Sequence, residues 1–422
     1  MAVLADKQRF ASRRALEALR NGVPNRDAVK LLGCNQPEAE GQFEGMLTGA
    51  TEGVDLSSGT LGMLVSGDFG SGKSHLLTHL EDQALSQGFV CSKVTISKET
   101  PLYDLGKVFK SAVDNAQMPD RTGRLMEELG QALKLDSREY ADFFKWANDT
   151  GANGLSQMFP ASLLVHERSR DLELNSEIEN FWAGDRVYIS RVKNGLRQIG
   201  QKQSYSFRAP KAADLPPQRL RFAVELIRAA GYRGWVVLLD EIELVGSYSL
   251  LQRGRSYAEL ARWLGQAASG SYPGLRTVGS VTDDFASAII TDGKKDRDYV
   301  GPKMDSTERY ERLKADADIG MRLLVQGCSP LNQPTDADVQ QTMENLRRLY
   351  ADAYGWDAPP VPMRAGGAGY QNRMRYKVRA AINEWDLMRR YPDYQPNTEG
   401  EEFRHGYTEN ADLERESRDD TD

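Results

Sequence analysis

The chain is poor in the residues that build disulfide frameworks and metal cages: 422 residues carry only three cysteines and four histidines. Cys34, Cys91 and Cys328 are widely separated, and His75, His79, His166 and His405 fall into no C-x-x-C or H-E-x-x-H spacing. Neither a stapled scaffold nor a zinc centre is suggested, and the cysteines read as buried thiols. Long apolar runs are missing as well. No stretch approaches the roughly 20 apolar residues of a membrane span, and the amino terminus has no apolar signal region, so a cytoplasmic protein with no membrane partner is expected. Excess positive charge is also absent, the formal net charge being −7. That deficit is local, because residues 395–422 hold ten acids against three arginines. The rest of the chain is neutral overall, which leaves a basic surface open. The acidic tail, poor in apolar groups, is expected to be disordered unless a partner orders it. There is no internal repeat.

Hydrophobic content of 40% and charged content of 27% are ordinary for a globular protein, and the length suffices for two or three domains. One stretch organises the chain. An apolar run, Met63, Leu64 and Val65, feeds the pattern G-x-x-x-x-G-K-S beginning at Gly67. Wrapping a triphosphate in backbone N–H groups requires residues without a Cβ at Gly67, Gly70 and Gly72. Asp68, Phe69, Ser71 and His75 complete the loop and its exit, and the helix that follows aims its positive end at the phosphates. In this pattern Lys73 binds the β- and γ-phosphates of ATP, and the Ser74 hydroxyl is a Mg²⁺ ligand. Further on, residues 234–243 run through five apolar positions into Asp240 and Glu241. A continuous apolar run suits a central parallel strand, and a carboxylate at its end lies where such sheets bind ligands. Asp240 would hold Mg²⁺ through water, and Glu241 would orient and deprotonate the attacking water.

Around these two motifs the chain divides into five parts. Residues 1–100 carry N-terminal helices and the loop half of the core, with a second strand over 88–97. Residues 101–214 are mostly helical, with amphipathic stretches at 102–116, 121–133, 137–147 and 177–199. That is too long for a simple crossover and is expected to form a subdomain. Residues 215–330 bring a Pro-initiated helix, the Asp240 strand, a helix over 251–267 and a buried strand over 276–283. Residues 293–299 read as a charged loop, followed by a helix from 305 with Thr307 as its cap. Residues 331–394 form a helical lid, and 395–422 are the acidic tail.

Four stretches, RRALEALRNGVPNR (13–26), GDFGSGKS (67–74), SKETPLY (97–103) and LDEIEL (239–244), with Gln252 and Arg253 after them, resemble the BrxD family, ATP-binding proteins of BREX phage-defence systems. The likeness spans about residues 9–390. It implies an α/β fold: a P-loop, AAA+-like parallel sheet core with a helical insertion and a C-terminal helical or winged-helix-like lid. By the same resemblance, the segment Val23, Pro24 and Arg26 borders the adenine, Thr282 or Asp283 touches the γ-phosphate, Arg309 or Arg312 serves as the finger of a neighbouring subunit, and Arg373 or Arg375 reaches back from the lid. Lys377, Arg379, Arg389 and Arg390 are open to a second role as a nucleic-acid face. The implied activity is a Mg²⁺-dependent ATPase. It is expected to be a homo-oligomer acting with double-stranded DNA and a helicase or other defence protein. The alternative is an assembly switch with slow hydrolysis and no DNA contact. A small-molecule kinase is disfavoured, since it would need neither Glu241 nor a basic lid helix.

Overall fold

The structure, a computed structural model, describes residues 2–22, 26–49, 61–186, 188–268, 270, 272, 274–306, 308–360 and 374–395. Six strands build one sheet: β1 (Gly62–Ser66), β2 (Val90–Thr95), β3 (Ala116–Gln117), β4 (Trp235–Asp240), β5 (Leu275–Val281) and β6 (Cys328–Pro330), in the order β3-β2-β4-β5-β1-β6. Every neighbouring pair is parallel except β2 with the short β3. The parallel strands therefore present their C-terminal ends along one edge. Ser66 pairs with Val281, and Thr95 with Asp240, so the ends of β1, β5, β4 and β2 lie level.

Helices cover both faces, as a parallel sheet requires. Met63, Val65, Val236, Leu238 and Val278 pack against Phe43 and Leu47 of helix Pro37–Thr48 and Leu76, Leu77 and Leu80 of helix Lys73–Ser86. The alternate residues Leu64, Val237, Leu239 and Val281 face a second, larger core shared with helices Leu105–Asp114, Leu215–Ala229 and Leu250–Trp263. The period of two along each strand thus assigns side chains to two layers. All three cysteines are free thiols, with Cys91 fully buried in the sheet.

The helices between β3 and Leu215–Ala229 share the larger core through tilted aromatic contacts among Phe159, Phe181, Trp182 and Phe222, with ring centroids 5.1–5.4 Å apart. Residues 177–199 do not form the single stretch expected. Helix Leu172–Ala183 stops at Gly184, whose φ of 124° a side-chain-bearing residue rarely adopts, and Ile189–Gln198 follows. The expected charged loop at 293–299 also needs correction, since helix Asp296–Asp305 begins inside it. Its first carboxylate is fully buried, accepting from Arg253 at 2.7 Å through both oxygens and from Tyr257. A charge-rich sequence here hides a buried ion pair rather than a solvated turn. Thr307 and the tail beyond 395 lie outside the described residues.

A third core stands apart from the sheet. Leu16 and Leu19 of helix Ala2–Arg20 pack with Leu346 and Tyr350 of helix Asp336–Tyr354 and with Ile382 and Trp385 of helix Met374–Arg390. Arg13 donates to Ala353 O at 3.0 Å, and Arg20 pairs with Asp386 at 2.7 Å. The N-terminal helix is thereby joined to the C-terminal ones. After β6 the described residues contain helices and no strand.

Candidate functional site

A cleft of about 420 Å³ opens at the C-terminal edge of the sheet. The loop leaving β1 forms its floor. A Cβ on Gly67 would stand 2.5 Å from Ser71 Oγ, and Gly72, at φ 109°, turns the chain into helix Lys73–Ser86. Both positions exclude larger residues for physical reasons the sequence pattern shares. No side chain caps that helix, and Ser71 Oγ is buried without a hydrogen-bond partner among the described residues. The loop therefore offers polar groups that a ligand's oxygens could meet.

Lys73 is only 8% exposed. Its ammonium donates to the carbonyls of Gly67 at 2.6 Å and Asp68 at 3.0 Å. Burial pulls its pKa down, while Glu243, Asp240, Asp283 and Asp68 act in the opposite direction. Asp240 ends β4 and is likewise buried. Burial alone would raise its pKa, but Lys93 at 3.3 Å, the Ser280 hydroxyl donating at 2.6 Å and the neighbouring Ser74 hydroxyl hold the carboxylate below its ordinary value. The two groups assigned to Mg²⁺, Ser74 and Asp240, thus adjoin one another. Among the described residues no cluster of His, Cys, Asp and Glu could hold a metal by itself. A hydroxyl and one carboxylate suit Mg²⁺ bound together with phosphates, which needs no all-protein cage.

Phe69, Gly70, Ser71, Gly72, Lys73, Ser74, His75, Asp240, Glu241 and Arg375 all line the cleft. His75 faces Gly33 O at 2.7 Å, and burial lowers its pKa. Arg375 reaches from the C-terminal helix to Gly22 O at 2.7 Å and lies 5.7 Å from the centre of the Phe69 ring. Other expected residues are placed elsewhere. Arg26 turns to Glu81 at 3.5 Å and to Gln117. Thr282 is buried past the end of β5, Arg312 is exposed on the surface, and neither lines the cleft. Val23, Pro24, Arg373 and the side chain of Arg309 lie outside the described residues. Arg389, one of the basic face, turns inward, donating to Tyr350 Oη and lying 4.2 Å from the Tyr354 ring centre.

Three contributors went unassigned in the sequence. Glu243, on the turn Ile242–Ser247, is 4% exposed and lines the cleft; burial pushes its carboxyl up to about 7. Its presence in the run D-E-x-E was the available signal. Lys93, on β2, is brought to Asp240 only by the strand pairing. The roof comes from Leu19, Gly22 and residues 32–36 with Asp338, Gln341, Thr342 and Val378, and no local motif marks it.

Fold and cleft together define a mixed α/β protein whose candidate ligand site lies at the C-terminal edge of a mostly parallel sheet. A family model described as BREX system ATP-binding protein BrxC/D matches residues 8–126 and 217–295, most of the N-terminal two-thirds of the chain. Over those residues the chain is similar to that family. The match includes the loop at 67–74 and the acids at 240–243, and omits residues 127–216. No curated protein and no solved structure matched the chain. No described helix is long and apolar enough to cross a membrane.

Proposed function

We propose that the chain is a Mg²⁺-dependent ATPase with an AAA+-like P-loop core, acting in anti-phage defence. The observation that carries this reading is the convergence of Lys73, Ser74, Asp240, Glu241 and Glu243 on one cleft at the end of a parallel sheet. The family's ATP-binding description supports it. ATP enters with its phosphates against residues 67–74. Lys73 then exchanges its bonds to the loop carbonyls for phosphate oxygens, and an acid after β4 takes the proton of the attacking water. Mg²⁺, held through Ser74 and Asp240, supplies charge neutralisation at the phosphates. Arg375 closes the roof over the loop, and Arg309 or Arg312 is offered to a neighbouring subunit. The wider role is action on double-stranded DNA, as a homo-oligomer, with a helicase or another defence protein. It rests on the resemblance in residues 13–26, 67–74, 97–103 and 239–244.

The test is phosphate release from MgATP, with and without double-stranded DNA, beside the mass in solution with a non-hydrolysable analogue. Turnover raised by DNA and nucleotide-driven assembly are expected; failure of the chain to bind ATP would defeat the reading. One observation favours the slower alternative, an ATP-dependent assembly switch. The Lys93 ammonium stands 3.3 Å from Asp240, where it competes with a second cation for the carboxylate. Under that alternative Lys93→Met raises turnover.

A further inference from the structure

The helical insertion carries a run of one sign of charge that the cleft does not use. Residues 186–213 contain seven lysines and arginines and no aspartate or glutamate, whereas the chain's average of 61 acids in 422 residues would place about four there. We propose that helix Ile189–Gln198 and the loop after it form a docking surface for the phosphate backbone of double-stranded DNA. This rests on the DNA-associated part of the reading above and gives that contact a place on the molecule, in a stretch the family model does not match.

The helix is pressed onto its neighbours along one side. A Cβ on Gly195 would stand 2.6 Å from Val165 Cγ1 and 2.9 Å from Leu174 Cδ2, and Val192 and Leu196 beside it are buried. At about 3.6 residues per turn, Lys193 and Arg197 both lie about 160° round the helix from Gly195, so they share the opposite, exposed side. The loop is held against the same helix. Gly200 turns the chain at φ 74°, the Gln201 N–H donates to Leu196 O at 2.7 Å, and the Lys193 ammonium lies 5.5 Å from the ring centre of the buried Phe207. Lys202 and Arg208, both exposed, directly follow Gln201 and Phe207 in the chain.

These charges are not neutralised from within. Arg191 faces Glu177 at 2.7 Å and Glu173 at 4.0 Å, but among the described residues Lys193, Arg197, Lys202 and Arg208 make no ion pair. Like charges held together without counter-charges repel, and a polyanion relieves that repulsion. Ser190, Asn194 and Gln198 are exposed on the same helix and are of the types that, with arginine and lysine, bind phosphate oxygens of DNA. A protein partner would need an apolar centre. Within 186–213, Tyr188 at 82% is the one large apolar side chain left exposed among the described residues. The other basic stretch, 377–390, fits a backbone less well, since Arg389 turns inward onto Tyr350 and Tyr354.

The experiment titrates a fluorescently labelled duplex of mixed sequence with the full chain over a series of NaCl concentrations. The logarithm of affinity should fall linearly with the logarithm of salt, by about 0.9 for each phosphate neutralised. Lys193→Gln, Arg197→Gln, Lys202→Gln and Arg208→Gln combined should make that slope shallower by about 3–4 and weaken binding at low salt by at least about tenfold. Arg197→Gln alone should reduce the slope by about 1. None of the four lines the cleft, so affinity for an ATP analogue and phosphate release without DNA should stay within about twofold of the parent. Lys377→Gln with Arg379→Gln should leave the slope unchanged. A parental slope in the fourfold variant overturns the proposal, and so does a slope that falls only in the Lys377→Gln, Arg379→Gln chain. Weaker binding at an unchanged slope reports lost structure rather than lost phosphate contacts, and overturns it too. A parent chain that binds the ATP analogue but no duplex overturns the proposal, leaves the face to an acidic protein and keeps the ATPase reading. One that binds duplex but no ATP defeats that reading and leaves this surface standing.

Discussion

The floor of the cleft takes its side chains from residues directly after β1 and β4, whereas the roof is built from helices whose bonded residues lie up to 366 positions apart in the chain. The floor is fixed by strand register: β1 and β4 each pair with β5, and the three ends lie level. The roof has its own core of Leu16, Leu19, Leu346, Tyr350, Ile382 and Trp385, with no buried residue in common with the two sheet cores. One half of the site is therefore held by a continuous hydrogen-bonded sheet and the other by packing of a small helical cluster. Perturbing either half should leave the other folded.

The largest separation is expected from Trp385→Ala. Trp385 is 1% exposed, packs edge-on to Tyr350 at 5.3 Å and donates to Pro359 O at 2.9 Å. Truncating a buried tryptophan costs about 3–5 kcal/mol. Hydrogen exchange should show protection lost in helices Ala2–Arg20, Asp336–Tyr354 and Met374–Arg390, while the amides of β4 and β5 keep theirs. Equal loss in the strands would mean that floor and roof unfold together. The converse change is Lys73→Ala, which should weaken binding of an ATP analogue about 100-fold, roughly 3 kcal/mol. Protection of the roof helices should be unaltered.

The same contrast explains what could be read before the structure. Loop 67–74 and the acids at 240–241 lie within single stretches whose spacing already encodes their geometry, so both could be named as neighbours. Glu243 was visible but had no assigned part, because its burial shows only once the turn Ile242–Ser247 is in place after β4. Lys93 could not be paired with Asp240 without the alignment of β2 with β4. A helix over residues 9–20 follows from its apolar spacing, but nothing in that spacing says that Arg13 meets Ala353 or that Arg20 meets Asp386. β3 and β6, of two and three residues, are too short to carry a pattern. Helix Asp296–Asp305 was concealed because its initial Asp296 looks solvated until Arg253 is seen beside it.

A pH dependence should arise in the floor through Glu243. Burial holds the Glu243 carboxyl at about 7 in the folded chain, against an ordinary value of 4.5. Between those values the folded state keeps a proton that the unfolded state has released, so this group's contribution to stability falls as pH rises and levels off above 7. Glu243→Gln removes that slope. Relative to the parent it should gain up to about 3 kcal/mol above pH 7 and little below pH 4.5. Urea unfolding at pH 5 and pH 8 checks this, and a gain of equal size at both values would rule out the ionisation as its cause.

Arg375→Ala should have the smallest effect, because it removes only the bridge between the halves. The guanidinium contributes one hydrogen bond to Gly22 O and a contact with the Phe69 ring, together worth about 1–2 kcal/mol. Nucleotide affinity should fall about tenfold, while the unfolding free energy of the sheet and protection in the roof core stay near parental values. Arg375→Lys keeps the charge but not the planar group, so it should recover the hydrogen bond and little of the ring contact. An intermediate affinity for the lysine variant would show that closure of the roof over residues 67–74 depends on both contacts. Parental affinity in the alanine variant would instead make Arg375 an internal contact of the roof, leaving nucleotide binding to the floor.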